Sequence, residues 1–176
     1  MGEAAKKSQS SPTPLEQEVI DLFDALRDSL FRYILSNGLS AHDSEDIIQE
    51  VFLALFRHLK LGRSRHNLRG WVFRVAHNLS LKRRFANQKN SQQLPRDGSP
   101  LSDSAPNAEE QLVFSEKHAL LVSVFKALPE LDQNCIRLRA EGLKYREIAE
   151  VLGISLAGVS VCLARALARL QRADGR

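Results

Sequence analysis

The chain has 176 residues, a formal net charge of +4 and 43% apolar side chains, which is room for one domain or two small ones. Aromatics make up only 6%, a profile that suits two small helical units better than one large core. No run of about 18 apolar residues occurs, so neither a membrane span nor membrane insertion is expected.

The N-terminal stretch MGEAAKKSQSSPTP lacks an apolar core and a cleavage site, so residues 1–14 read as a disordered tail and not as a secretory signal. Cys135 and Cys162 lie far apart in sequence and form no C-x-x-C pair. That argues against a disulfide framework and for a reducing, cytoplasmic setting. Charge is segregated along the chain. Between Leu15 and Glu50 the acids Glu16, Glu18, Asp21, Asp24, Asp28, Asp43, Glu45, Asp46 and Glu50 face only Arg27 and Arg32. Between Lys60 and Arg96 the bases Lys60, Arg63, Arg65, Arg69, Arg74, Lys82, Arg83, Arg84, Lys89 and Arg96 occur with no acid at all. An acidic block followed by a basic one predicts two faces for two partners, the basic one facing a polyanion.

In chain order, Val19, Leu22, Phe23, Leu26, Leu30, Tyr33 and Ile34 recur at steps of three and four and predict a first helix, stopped by Asn37-Gly38. A second helix is expected from Asp43 or Ser44, either of which can cap it, with Ile47, Ile48, Val51, Phe52, Leu55, Phe56 and Leu59 inward. Gly62 ends that pattern, and a loop from Arg63 to Gly70 leads to a third helix carrying Trp71, Val72, Val75 and Leu79, with Phe85 as a further candidate for its apolar face. From about Ala86 to Asn107 the chain turns to Asn, Gln, Ser, Pro and Asp and loses apolar periodicity, the mark of a flexible linker. Helices resume with Leu112, Leu120, Leu121, Val124, Phe125 and Leu128 before Pro129, then a short one around Leu131–Ala140, broken at Glu141-Gly142.

Tyr145 to Leu170 carries the most specific pattern. A first helix points Ile148, Ala149 and Leu152 inward, Gly153 supplies a left-handed end, Ile154 plugs the corner and Ser155 caps a second helix. That second helix buries Val159, Leu163, Ala166 or Leu167, and Leu170. Two helices joined by a short glycine-containing turn form the DNA-binding helix-turn-helix. The expected fold is therefore all-α: two small helical domains, residues 15–86 and 113–173, joined by a flexible linker over 87–112, the C-terminal one a helix-turn-helix.

With these motifs in place the chain resembles the extracytoplasmic-function group of bacterial RNA polymerase sigma factors. HDSEDIIQEVFLALFRHL followed by NLRGWVFRVAHNLSLKRRF resembles that group's region 2, and ALPELDQNCIRLRAEGLKYREIAEVLGISLAGVSVCLARALARL resembles its region 4. The resemblance implies a factor that binds core RNA polymerase and directs transcription initiation at promoter DNA, recognising a −35 element and melting a −10 element. It implies polymerase docking through Asp43, Asp46, Gln49 and Glu50. It implies −10 binding through Arg63, Arg65, Asn67 and Arg69 of the loop and Arg74, Asn78, Lys82, Arg83 and Arg84 of the following helix. Unstacking a base costs a few kcal/mol, which a cationic groove with pockets for extruded bases offsets. Trp71 reads as packing. The resemblance also implies −35 contacts from Ser155, Ala157, Ser160, Val161, Arg165 and Arg169, and an anti-sigma factor or other protein inhibitor as partner.

Two departures alter that expectation. Lys82 stands where the group commonly has an acid, which makes the third helix more basic and binding more sensitive to salt. The recognition helix reads Gly158-Val159-Ser160-Val161-Cys162 in place of a cationic run, which puts Ser160, Val161 and Cys162 at the base-reading positions, so weak or A/T-leaning −35 recognition is expected from small and apolar contacts. No cofactor motif, nucleophile elbow or metal-ligand spacing occurs, and the five histidines are scattered, read mostly as surface residues. The chain is therefore not expected to be an enzyme and needs no cofactor or metal. Two other readings stand beside the main one: a helix-turn-helix regulator with a sensing N-terminal part, and a degenerate sigma-like module that binds without initiating transcription.

Overall fold

The computed structural model describes residues 11–91 and 108–174. Among these residues there are seven α-helices and no strand: α1 (Pro14–Ser36), α2 (Ala41–Lys60), α3 (Leu68–Ser91), α4 (Ala108–Lys126), α5 (Glu130–Ala140), α6 (Tyr145–Leu152) and α7 (Leu156–Asp174). The expected tail falls outside the described residues up to residue 10, and residues 92–107 of the expected linker do so as well.

The helix ends follow local chemistry, with several corrections to the sequence-based boundaries. Thr13 caps α1 in a reciprocal box with Glu16, with Pro14 in the first turn, so these two residues belong to the helix start and not to a tail. α2 begins before Asp43 and Ser44. Its cap is Ser40, whose hydroxyl accepts from the Asp43 N–H at 3.0 Å. Ser44 is instead buried and donates to the Ser40 carbonyl at 2.7 Å. α3 runs on to Ser91 and α4 begins at Ala108, so helix takes both ends of the segment expected to be linker.

α1, α2 and α3 pack together around Leu30, Tyr33, Ile34, Ile47, Val51, Leu55, Val72 and Phe73, all essentially inaccessible to solvent. The apolar stripes bury because residues three and four apart share one helix face. Two polar groups go in with them. The Tyr33 hydroxyl and His77 Nδ1 are 2.7 Å apart; this satisfies the phenol, as a buried hydroxyl requires. His77, expected at the surface with the other histidines, is thus an interior residue, one turn beyond Phe73.

In the second unit α5, α6 and α7 enclose Leu138, Leu143, Ile148, Val159 and Leu163, with α4 lying along α7. Cys162 is buried here as well, which removes it from the base-contacting surface where the sequence had suggested it. Ala166, not Leu167, takes the inward position; Leu167 is half exposed. Cys135 and Cys162 are both free thiols that meet in this core although 27 positions apart, and burial pushes the Cys135 thiol up to about 12. The two units are docked, with α6 against α3 and α5 against α1, and their buried apolar residues form one continuous cluster.

Candidate polymerase and nucleic-acid surfaces

The outer face of α2 presents Asp46, Gln49 and Glu50, with Ile47, Ile48, Val51 and Phe52 buried on the opposite side. Residues three and four apart on a helix are surface neighbours, so these three polar groups form one patch. Asp43, grouped with them on sequence, behaves differently. Its carboxylate takes the guanidinium of Arg83 and the amide of Asn87, both on α3. Burial alone would raise its pKa, but the hydrogen bonds from Asn87, Arg83 and Ser40 outweigh that and hold the carboxyl below its usual range. Asp43 therefore fastens α2 to α3, and the outward patch is Gln49 and Glu50 with the half-exposed Asp46 at its edge, 3.8 Å from the same Arg83 guanidinium.

The loop after α2 is shaped by Gly62, at φ +66°, and by Asn67, a non-glycine residue at φ +51°. Asparagine tolerates this left-handed region because its short amide bonds locally. Here Asn67 Oδ1 accepts from the Gly70 N–H at 3.1 Å, at the start of α3. Trp71 packs on the His58 ring with centroids 4.6 Å apart, as expected of a packing residue.

The nine candidate −10 residues divide into three sets. Arg63, Arg74, Asn78 and Lys82 are exposed, and the last three stand one turn apart along one ridge of α3. Arg65 pairs with Glu18 of α1 at 3.2 Å, and Arg83 with Asp43 of α2. The third set meets the C-terminal unit: Asn67 Nδ2 donates to Glu150 at 2.5 Å, Arg69 to the Glu141 carbonyl at 2.6 Å, and Arg84 to Glu130 at 2.8 Å. Glu141 also takes Arg32 of α1 through its carboxylate at 2.8 Å. Nothing in the sequence marked Glu130, Glu141 and Glu150 as partners of the basic block, because each looks like an ordinary solvated acid.

In the C-terminal unit α6 and α7 meet at a bend of 102°, within the range of helix-turn-helix motifs. Gly153, at φ +66°, ends α6 by donating to the Ala149 carbonyl, a conformation that glycine takes with no Cβ penalty. Ser155 Oγ accepts from the Gly158 N–H at 3.0 Å and opens α7. Ser155, Ala157, Ser160, Val161, Arg165 and Arg169 are all exposed on α7 or its cap. Arg165 nevertheless clasps Asp132 of α5 through Nε and Nη2, at 2.7 and 2.5 Å. Asp132 is fully buried; the hydrogen bonds from Arg165 hold its carboxyl below the usual range against the opposing effect of burial.

Profiles of two known families match the two halves: sigma-70 region 2 over residues 22–90 and sigma-70 region 4 over residues 118–170. The extracytoplasmic-function RNA polymerase sigma factor ShbA of Streptomyces griseus is 32% identical over 142 residues, spanning 76% of this chain and 73% of that protein. The chain belongs to the sigma-70 family. It is an RNA polymerase sigma factor of the extracytoplasmic-function type, a promoter-recognising initiation factor, as the resemblance of its motifs implied. Sigma factor SigZ of Bacillus subtilis is also similar, at 29% identity over 89% of this chain and 82% of that protein. Among solved structures, CnrH in complex with the cytosolic domain of CnrY is similar at a TM-score of 0.60 and 22% identity, covering 89% of this chain and 86% of that one. RpoE of Bartonella quintana in complex with the anti-sigma factor NepR is similar at 0.60 and 18% identity, covering 89% and 94%. These likenesses establish the two-unit all-helical fold.

Proposed function

We propose that this sigma factor docks on core RNA polymerase through Asp46, Gln49 and Glu50, with Asp43 setting the angle of α2 beneath them. The observation that carries this is the amphipathic division of α2: an anionic patch faces outward, directly opposite a fully buried apolar stripe. Residues 15–86, extended by the end of α3, form the unit that engages polymerase and the −10 element. Residues 113–173 form the unit that engages the −35 element, and the chain between them is the linker.

The ridge of Arg74, Asn78 and Lys82, with Arg63, offers cations for phosphates and an amide for a base edge. Asn67, Arg65, Arg69, Arg83 and Arg84 extend that surface when their present partners release them. On α7, Ser160, Val161 and Ala157 are placed to touch base edges and thymine methyls, and Arg169 to reach a phosphate. With Arg165 committed to Asp132, −35 recognition is weak and leans toward A/T. The factor acts by binding alone, without catalysis or cofactor, in the cytoplasm, and a protein inhibitor of the anti-sigma type is a fitting partner.

The test is a paired charge reversal. Asp46→Lys with Glu50→Lys is expected to weaken association with core polymerase by about 100-fold, or roughly 2.7 kcal/mol, and to abolish run-off transcription. Duplex binding by the helix-turn-helix stays as it was. Undiminished affinity for the core enzyme would reject the docking assignment.

A further inference from the structure

Cys135 of α5 and Cys162 of α7 take no part in the proposed docking or DNA contacts. Both are free thiols inside the C-terminal unit, at 0% and 5% exposure. Two rows of buried side chains bring them together. Asp132, Cys135 and Leu138 recur at three-residue steps along α5, and Val159, Cys162 and Ala166 follow one face of α7. The two thiols are hydrogen-bonding neighbours, and Cys162 also bonds to the buried Asp132 carboxylate. Its sulfur lies 4.0 Å from Arg165 Nη2.

We propose that Cys135 and Cys162 form an oxidisable dithiol: a hydroperoxide converts them to a disulfide that ties α5 to α7, displaces the recognition helix and lowers duplex binding. The bond itself needs no functional assignment; its effect on DNA rests on the −35 reading above.

The roles of the two thiols differ. Cys162 keeps a trace of solvent access, and the guanidinium beside it offsets part of the cost of ionising a buried thiol. Cys135 has neither advantage and is the resolving partner. As the thiolate, Cys162 attacks one oxygen of hydrogen peroxide; the O–O bond breaks, and the leaving hydroxide takes up the thiol proton as water. Cys135 then attacks the resulting sulfenic acid, the S–O bond breaks, and a second water leaves with the Cys135 proton. Two thiols and one peroxide thus give one disulfide and two waters, sulfur being oxidised and oxygen reduced. Burial raises both thiols above their ordinary value, so the pair answers to sustained oxidant and not to a brief exposure. A reversible bond of this kind suits a reducing compartment, where disulfides act as sensors more than as staples.

Closing the bond moves the helix. A disulfide draws two sulfurs well inside non-bonded contact and fixes the separation of their Cβ atoms. Val159 and Leu163 are buried on either side of Cys162, and a close-packed interior transmits such a strain. Ser160, Val161 and Arg169 therefore shift with α7, and Asp132 loses the thiol that bonds to it.

The experiment uses the full folded chain, hydrogen peroxide and a fluorescently labelled A/T-rich duplex. Thiol counting and non-reducing peptide mapping read the bond, and fluorescence anisotropy reads duplex affinity. Peroxide is expected to consume both thiols and to link the Cys135 and Cys162 peptides within one chain. Duplex affinity should then fall about tenfold, the scale of one lost hydrogen bond to a phosphate, and dithiothreitol should restore it. Cys162→Ala, with no second thiol to pair, should keep its affinity under peroxide. The mapping uses the unchanged chain and so does not depend on any variant folding. Thiols that persist under peroxide, a link formed only between chains, or an internal link with undiminished duplex binding overturns the inference. In that last case Arg169→Ala in the reduced chain separates two failures. If it lowers duplex binding, the −35 assignment stands and the coupling is wrong; if it has no effect, the −35 assignment itself is wrong.

Discussion

Arg83 and Arg165 occupy comparable places in the two halves of the molecule. Each lies on a long helix, α3 or α7, assigned to DNA on sequence, and each reaches an aspartate near the start of a neighbouring helix, Asp43 on α2 or Asp132 on α5. The surroundings differ. Asp43 keeps some solvent access, at 17%, and shares its carboxylate between Arg83 and Asn87, whereas Asp132 has none and both its oxygens bond to Arg165. A partly wet aspartate can give up its arginine at small cost, because water replaces the bond. A dry one cannot. The N-terminal arginine is thus available to a polyanion, and the C-terminal one is part of the scaffold.

The largest expected effect that tests this contrast is on folding. Asp132→Asn should destabilise the C-terminal unit by about 2 kcal/mol, the scale of hydrogen bonds to a charged group, while Asp43→Asn should cost below about 1 kcal/mol. Thermal unfolding of the two variants measures the difference, and equal losses would erase the distinction.

Acid titration sharpens the same comparison. Both carboxyls are held below their ordinary value in the folded chain. Each therefore contributes stability above about pH 4 that disappears as pH falls through the folded value. Asn at position 132 should flatten more of this acid limb than Asn at position 43. His77 acts at higher pH, because burial holds its imidazole below the ordinary value of about 6.5. Its contribution is complete above that value and declines as pH falls below it, since the unfolded chain then binds the proton first. His77→Gln should remove the part of the melting-temperature decline that begins near pH 6.5. An unchanged decline in that variant would assign it to another group.

The smallest effect concerns DNA. Arg169→Ala should lower by about one the slope of duplex affinity against salt on logarithmic axes, as expected for loss of one phosphate contact. Asp132 holds Arg165 back from such a contact, so Arg165→Ala should change the slope less than Arg169→Ala does. The reverse order would return Arg165 to the DNA surface.

Much of this fold was legible because its rules are local. The stripes of α1 and α2 follow from spacing, the end of α6 from Gly153, and the cap of α7 from Ser155. Where several local options competed, the sequence did not choose among them. Ser40, Asp43 and Ser44 can each cap a helix; packing buries Ser44, and Arg83 draws the Asp43 carboxylate aside, leaving the role to Ser40. Cys162 was misread because its place in a recognition motif overshadowed its position three residues after the buried Val159. His77 follows Phe73 by one turn, a spacing that would have placed it inside.

The sequence by itself determined the helices, the two units, the helix-turn-helix and the separation of acidic from basic stretches, because each depends on residues within a few turns of one another. Tertiary structure decided which charges remain available. Glu141 meets Arg32 across 109 positions, Glu150 meets Asn67 across 83 and Asp132 meets Arg165 across 33. Such pairings form only when packed helices bring distant side chains within hydrogen-bonding reach, and no local pattern encodes that distance.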